Sequence, residues 1–207
     1  MFTPEFKAAL ALLPSKEKDK LLWRLIKRDE LLAHRLEYEL LAPYDAVDKR
    51  NELADKIRQS ATFMLKQEDI LSSVLSQFRY MSGDITRHVY ITKDKVGEIL
   101  LNFVLLKEAI NLLNNPKYRF PRDLHKYVVY MTNKLFRTCM LVNKLHIDYH
   151  IELEDDAHKL GQIIGDNDIM MQYLKHVMFD VKWLLQFDIP EGLDKHYKEV
   201  KQDGLLK

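Results

Sequence analysis

Apolar residues recur along most of this chain at intervals of three and four, the spacing of one face of an α-helix. Pro4 opens the first such stretch, with Thr3 placed to cap it. Pro14-Ser15 closes it and caps a second helix, in which Leu21, Leu22, Leu25 and Ile26 form an apolar face opposite Lys16, Lys20 and Lys27. Asp29 starts a third helix, with Leu32, Leu36 and Leu40 on one stripe and Pro43 as its end. A fourth starts at Asp45 or Asp48 and runs through Leu53, Ile57 and Ala61 to Lys66.

The remaining pattern predicts longer helices. Residues 68–91 carry Leu71, Leu75 and Phe78 on one face, and Gly83 weakens the middle. Residues 94–113 carry Val96, Leu100, Phe103, Val104 and Ile110, and Asn114-Asn115-Pro116 breaks the chain after them. Pro121 opens a helix that runs to Val142. The spacing predicts a last long helix from Asp168 to Phe187, with Tyr173, Val177, Val181, Leu184 and Leu185 inward and Pro190 as its stop. A short charged helix follows over residues 191–202. Residues 145–154 instead alternate strictly, Leu145, Ile147, Tyr149, Ile151 and Leu153 against His146, Asp148, His150, Glu152 and Glu154. That is a strand pattern with no partner strand, so continuation of the preceding helix is the expectation and an extended segment the alternative.

These elements predict an all-α fold: an irregular multi-helix bundle, with short helical hairpins at the N-terminus followed by four longer helices. No repeat period recurs three times, which argues against a solenoid. The expectation is one domain over residues 1–207, with a sub-division into short helices (1–66) and a long-helix bundle (67–207).

Composition narrows the class. Six glycines and six prolines in 207 residues leave too few turn formers for an all-β sandwich. The single cysteine, Cys139, excludes an internal disulfide and a four-cysteine zinc site. It lies on an apolar stripe between Leu135 and Val142 and reads as a buried structural thiol. The most apolar window, Ile99 to Leu106, is far short of the roughly 20 residues a membrane span needs. The opening residues lack the pattern of a secretory signal, so a cytoplasmic protein without a membrane partner is expected.

The 32 basic and 31 acidic residues nearly cancel, which excludes a uniformly basic nucleic-acid coat. The balance hides two opposed segments. Residues 116–147 carry 7 basic and 1 acidic residue, and residues 148–189 carry 3 basic and 9 acidic. Consecutive helices are usually neighbours, so mutual neutralisation of the two segments is the simplest expectation.

Glycine-rich phosphate loops, the G-x-S-x-G elbow and H-E-x-x-H are all absent. Metal candidates are Glu152, Asp155, Asp156, Asp180, His146 and His150: His146, His150 and Glu154 share a helical stripe that suits zinc, and the carboxylates suit Mg²⁺. Phosphate candidates are Lys117, Arg119, Arg122 and Lys126, basic residues before and inside a helix N-terminus, with Tyr118, Phe120 and Tyr127 among them. Acidic and basic clusters together would serve a Mg²⁺-dependent nucleotide phosphohydrolase, the chemistry of all-α nucleotide pyrophosphohydrolases. The Glu-Glu-x-x-Glu run of that family is absent here, so the likeness is chemical and not sequential. No catalytic residue stands out and no cofactor is expected, with Mg or Zn the ions the candidates would take.

The leading expectation is an interaction or scaffold module without catalysis, whose partner is another protein or a second copy of itself. The phosphohydrolase is the alternative, and nucleic-acid binding through residues 117–137 the second alternative.

Overall fold

A computed structural model of the chain describes residues 2–41, 46–67, 70–118 and 122–206. Pro43 as a helix stop, Asp45 and Glu68 as helix starts and Pro121 as a helix opener lie outside the described residues. Among those described there is no strand; the fold is an all-α multi-helix bundle.

Three short helices lead: α1 (Pro4–Leu12), α2 (Ser15–Ile26) and α3 (Glu30–Leu41). Thr3 caps α1, its hydroxyl accepting from the Phe6 N–H at 3.3 Å, and Asp29 does the same for α3 through the Leu32 N–H at 2.9 Å. Ser15 does not cap α2; Pro14 holds the cap position and makes no side-chain bond there.

The four long helices are α4 (Ala46–Lys66), α5 (Leu71–Thr92), α6 (Lys95–Leu112) and α7 (Leu124–Val142). The sequence pattern grouped α4 with the short helices; it belongs to the bundle, burying Ala54, Ile57, Ala61 and Met64. Gly83 does not break α5, which is continuous from Leu71 to Thr92; it lies on the exposed side with open space where a side chain would sit. α6 is the central helix and packs on α4, α5, α7 and α8. Its Ile99–Leu106 window is apolar around most of its circumference because neighbours cover it on several sides. Asp94 caps α6 with a 2.7 Å bond from the Gly97 N–H. The core continues through Phe78 edge-on to Tyr127, and through Phe136 against Phe179 and Tyr197. The Tyr127 hydroxyl donates to the Ala109 carbonyl at 2.8 Å, joining α7 to α6.

Residues 145–154 are neither a continuation of α7 nor extended. α7 ends at Val142, and residues Ile147–Glu152 form a 3-10 turn. The alternating pattern misleads because Ile147, Tyr149 and Ile151 all face solvent, while Leu153 is the member that is fully buried.

α8 (Glu154–Gly165) packs on α6. The long helix expected over residues 168–187 is two helices, α9 (Asp168–His176) and α10 (Lys182–Leu185). Met178 takes a left-handed φ of 52°, and the Phe179 N–H reaches back to the Leu174 carbonyl at 2.9 Å. Phe187, at φ 50°, ends α10 in the same way, with the Asp188 N–H on the Trp183 carbonyl. Both are left-handed helix ends without the glycine that normally marks one. The inward stripe survives the break: Val177, Val181 and Leu184 are buried. α11 (Leu193–Gln202) returns along α7, burying Leu193, Tyr197 and Val200.

Candidate functional site

The cations of residues 116–147 do not gather at the start of α7. Lys117 lies 5.0 Å over the Tyr118 ring in a 3-10 turn, and Arg122 is exposed in the turn before α7. Arg119 lies outside the described residues. Lys126 is on α7, within 3.3 Å of Asp123, and of the three described phosphate candidates it is the one that lines the groove described next.

That groove, of about 740 Å³, runs between α5, α6, α7 and α11. Its wall carries Arg79, Lys126, Lys134, Arg137, Lys144 and Lys201, with Glu98 as the carboxylate among them. Apart from Lys126, which pairs with Asp123, each anchored cation is held by a neutral partner. The Lys134 ammonium donates to the Ser82 hydroxyl at 2.6 Å. Arg137 Nε donates to the Tyr197 hydroxyl at 3.3 Å, which in turn donates to Asn133 Oδ1 at 2.8 Å. Arg79 stacks 5.4 Å over Tyr130, and Lys201 5.0 Å over Tyr197. Burial pushes the Lys134 ammonium down to about 8; Glu98 opposes the shift and Arg137 adds to it. Asn102 of α6, 3% exposed, forms part of the wall, and its Oδ1 has no hydrogen-bond partner.

One strand of this site is legible in the sequence: Lys126, Tyr130, Lys134, Arg137 and Lys144 follow helical spacing along α7 and beyond its end. Arg79, Glu98, Asn102 and Lys201 come from three other helices, and each by itself resembles an ordinary surface charge or core amide.

The acidic segment lies elsewhere. Glu152 ends the 3-10 turn, exposed. Glu154, Asp155 and Asp156 occupy the first turn of α8, where carboxylates complement the helix dipole. Asp156 is bonded to Lys107 of α6. Asp180 Oδ1 accepts from the Lys182 N–H at 2.9 Å, before α10. His146 faces Asp148 at 3.1 Å on the surface, whereas His150 Nε2 lies 3.2 Å from the Val142 carbonyl with its ring edge-on to Phe187. Among the described residues, no three of the His, Asp and Glu side chains converge as a metal site would require. Between residues 116–147 and residues 148–189 the surface pair His146–Asp148 is joined, charged only when the histidine is protonated; the acidic segment's cross-link to the bundle is Lys107–Asp156. The lysines and arginines of the basic block form no ion pair with the acidic block among the described residues.

Cys139 is fully buried, and burial pushes its thiol up to about 12, so it is inert at neutral pH.

A second unusual surface is the N-terminal arm. α1, α2 and α3 contribute no buried residue. Phe2, Phe6, Leu12, Leu22, Trp23 and Leu40 are all more than half exposed. α3 packs on α5 and α2 on α3, whereas α1 makes no extensive contact with another helix. The arm is also polarised. Residues 14–28 carry 6 basic and 2 acidic residues, and residues 29–41 carry 1 basic and 4 acidic.

Fold and surfaces together define an all-α bundle with a basic groove and an uncovered helical arm. No family model matches the chain, and no solved structure matches it. Over 170 residues the chain is 32% identical to a zebrafish (Danio rerio) protein described as coiled-coil domain-containing protein 22; the match takes in 74% of this chain and 26% of that protein. The chain therefore spans about a quarter of the length of the curated relative it matches. No helix among the described residues is long and apolar enough to cross a membrane.

Proposed function

We propose that the chain is an interaction module that pairs with a second copy of itself through α1–α3. The observation that carries this reading is an arm of three amphipathic or apolar helices that buries none of its own residues. A helix with an apolar stripe gains little stability until that stripe is covered. The opposite charges of α2 and α3 select the partner. In a two-fold dimer the same patch faces itself, so α2 of each copy meets α3 of the other, and the basic helix lies on the acidic one twice. The relative's name describes a coiled coil in that protein, which supports helix pairing as the mode of action here.

Light scattering after size exclusion tests the reading. The mass should rise from one copy to two as concentration increases, and Trp23→Glu should hold the chain at one copy with unchanged helicity. A chain that stays monomeric at every concentration would contradict it, as would a dimer indifferent to Trp23→Glu.

A further inference from the structure

A different surface supports a binding role. The groove between α5, α6, α7 and α11 gathers six cations around one carboxylate, in a chain whose net charge is only +1. Like charges repel, and most of these have no bonded counter-charge: Lys126 pairs with Asp123 and Glu98 lies in the wall, but Arg79, Lys134, Arg137, Lys144 and Lys201 form no ion pair among the described residues. The bundle instead fixes several of them against hydroxyls and rings, at the cost of desolvating Lys134. Such positioning is what a multiply charged anion requires, because each cation then meets the ligand without a further loss of side-chain freedom.

We propose that this groove binds a small molecule carrying two or more phosphoryl groups in sequence. Three observations select that class. The volume, about 740 Å³, is that of a small-molecule site. The cations come from three helices, α5, α7 and α11, with Lys144 just beyond the end of α7, around one cavity, which suits several closely spaced negative charges better than the extended stripe a nucleic-acid backbone follows. Arg79 already lies over one face of the Tyr130 ring and Tyr197 is buried, so neither offers the open platform that stacked bases would use. Asn102 adds a neutral polar group to the wall: it is buried, and its amide oxygen has no hydrogen-bond partner.

Titration calorimetry on the full chain, at low salt and pH 7, tests the proposal with inorganic triphosphate, ATP, orthophosphate and a single-stranded DNA 12-mer. Triphosphate should bind at least about tenfold more tightly than orthophosphate. Lys134→Gln should weaken it by a further factor of about ten or more, the scale of one charge-assisted hydrogen bond. Lys144→Glu and Lys201→Glu, both at exposed positions, should weaken it similarly, and they carry the test if Lys134→Gln fails to fold. Lys159→Glu on α8 should change nothing. ATP binding more tightly than triphosphate identifies the ligand as a nucleotide, and equal binding identifies a bare polyphosphate; both agree with the proposal. The proposal is overturned if triphosphate does not bind, if the groove variants bind it as the native chain does, or if the DNA binds while triphosphate does not. Because no step uses α1–α3, binding should persist in Trp23→Glu, so failure here is distinguishable from failure of the dimer reading.

Discussion

Single residues hold two junctions of this fold. Asp94 closes α6 and receives the Gly97 N–H at 2.7 Å, with His88 Nε2 and Arg50 Nη1 at 3.5 and 3.4 Å. A Cβ at residue 97 would lie 1.9 Å from Asp94 Oδ2, so only glycine permits this cap. Gly97→Ala should cost about 1–2 kcal/mol, the scale of a lost N-cap, read as a lower urea midpoint. Burial works to raise the Asp94 carboxyl, but His88, the Gly97 N–H and Arg50 outweigh it and hold it below its usual range. A carboxyl held low in the folded state stabilises the fold above its ordinary value, about pH 4, and that contribution disappears as pH falls through the folded value. The stability gap between the native chain and Asp94→Asn should therefore be full at neutral pH and narrow below pH 4; a gap independent of pH would contradict the assignment. Met178 supplies a case of opposite sign. It is 65% exposed and left-handed, so Met178→Gly relieves strain while losing little packing. It should stabilise the fold by about 0.5–1 kcal/mol in a chemical denaturation series.

At the scale of elements, sequence pattern located α4–α7 because their apolar residues keep the helical period and Asp94 and the Asn114-Asn115-Pro116 break punctuate them. It failed where backbone geometry, not side-chain pattern, ends a helix. Nothing in Met178 or Phe187 announces a left-handed turn, so α9 and α10 read as one helix, even though the inward positions Val177, Val181 and Leu184 were correctly placed. The alternation of residues 145–154 failed for another reason: its middle apolar members Ile147, Tyr149 and Ile151 are exposed like the polar residues between them, and periodicity reports a fold only where one set is buried. The groove was legible along α7 alone, because cations on α5 and α11 meet it only after folding. Its Lys134 makes a prediction at this scale. Below about pH 8 the folded and unfolded chains both hold the proton; between that value and about 10.4 the folded chain has released it and the unfolded chain has not. Stability should therefore rise with pH across that interval, with Glu98 of α6, Arg79 of α5 and Lys201 of α11 on the other walls of the groove and Arg137 beside the group on α7. Lys134→Met should flatten the rise.

Across the whole molecule, the near-zero charge is an average of separated surfaces. One wall of the bundle is a basic groove, α8 and the turn before it form an acidic surface tied to α6 through Lys107, and the N-terminal arm divides its own charge between α2 and α3. The arm carries half of the large apolar residues that are exposed among the described residues, and self-pairing there is the central claim. The most direct test is a charge exchange read by sedimentation equilibrium. One variant reverses the α2 segment (Lys16→Glu, Lys20→Glu, Arg24→Glu and Lys27→Glu), and a second reverses the α3 segment (Glu30→Lys, Glu37→Lys and Glu39→Lys), all at exposed positions. Each variant by itself places like charges on both halves of a two-fold interface and should remain monomeric. Mixed, they restore opposite charges on both halves and should form a heterodimer of two copies. Dimerisation of each reversed chain by itself, or two monomers that ignore each other in the mixture, would contradict the account.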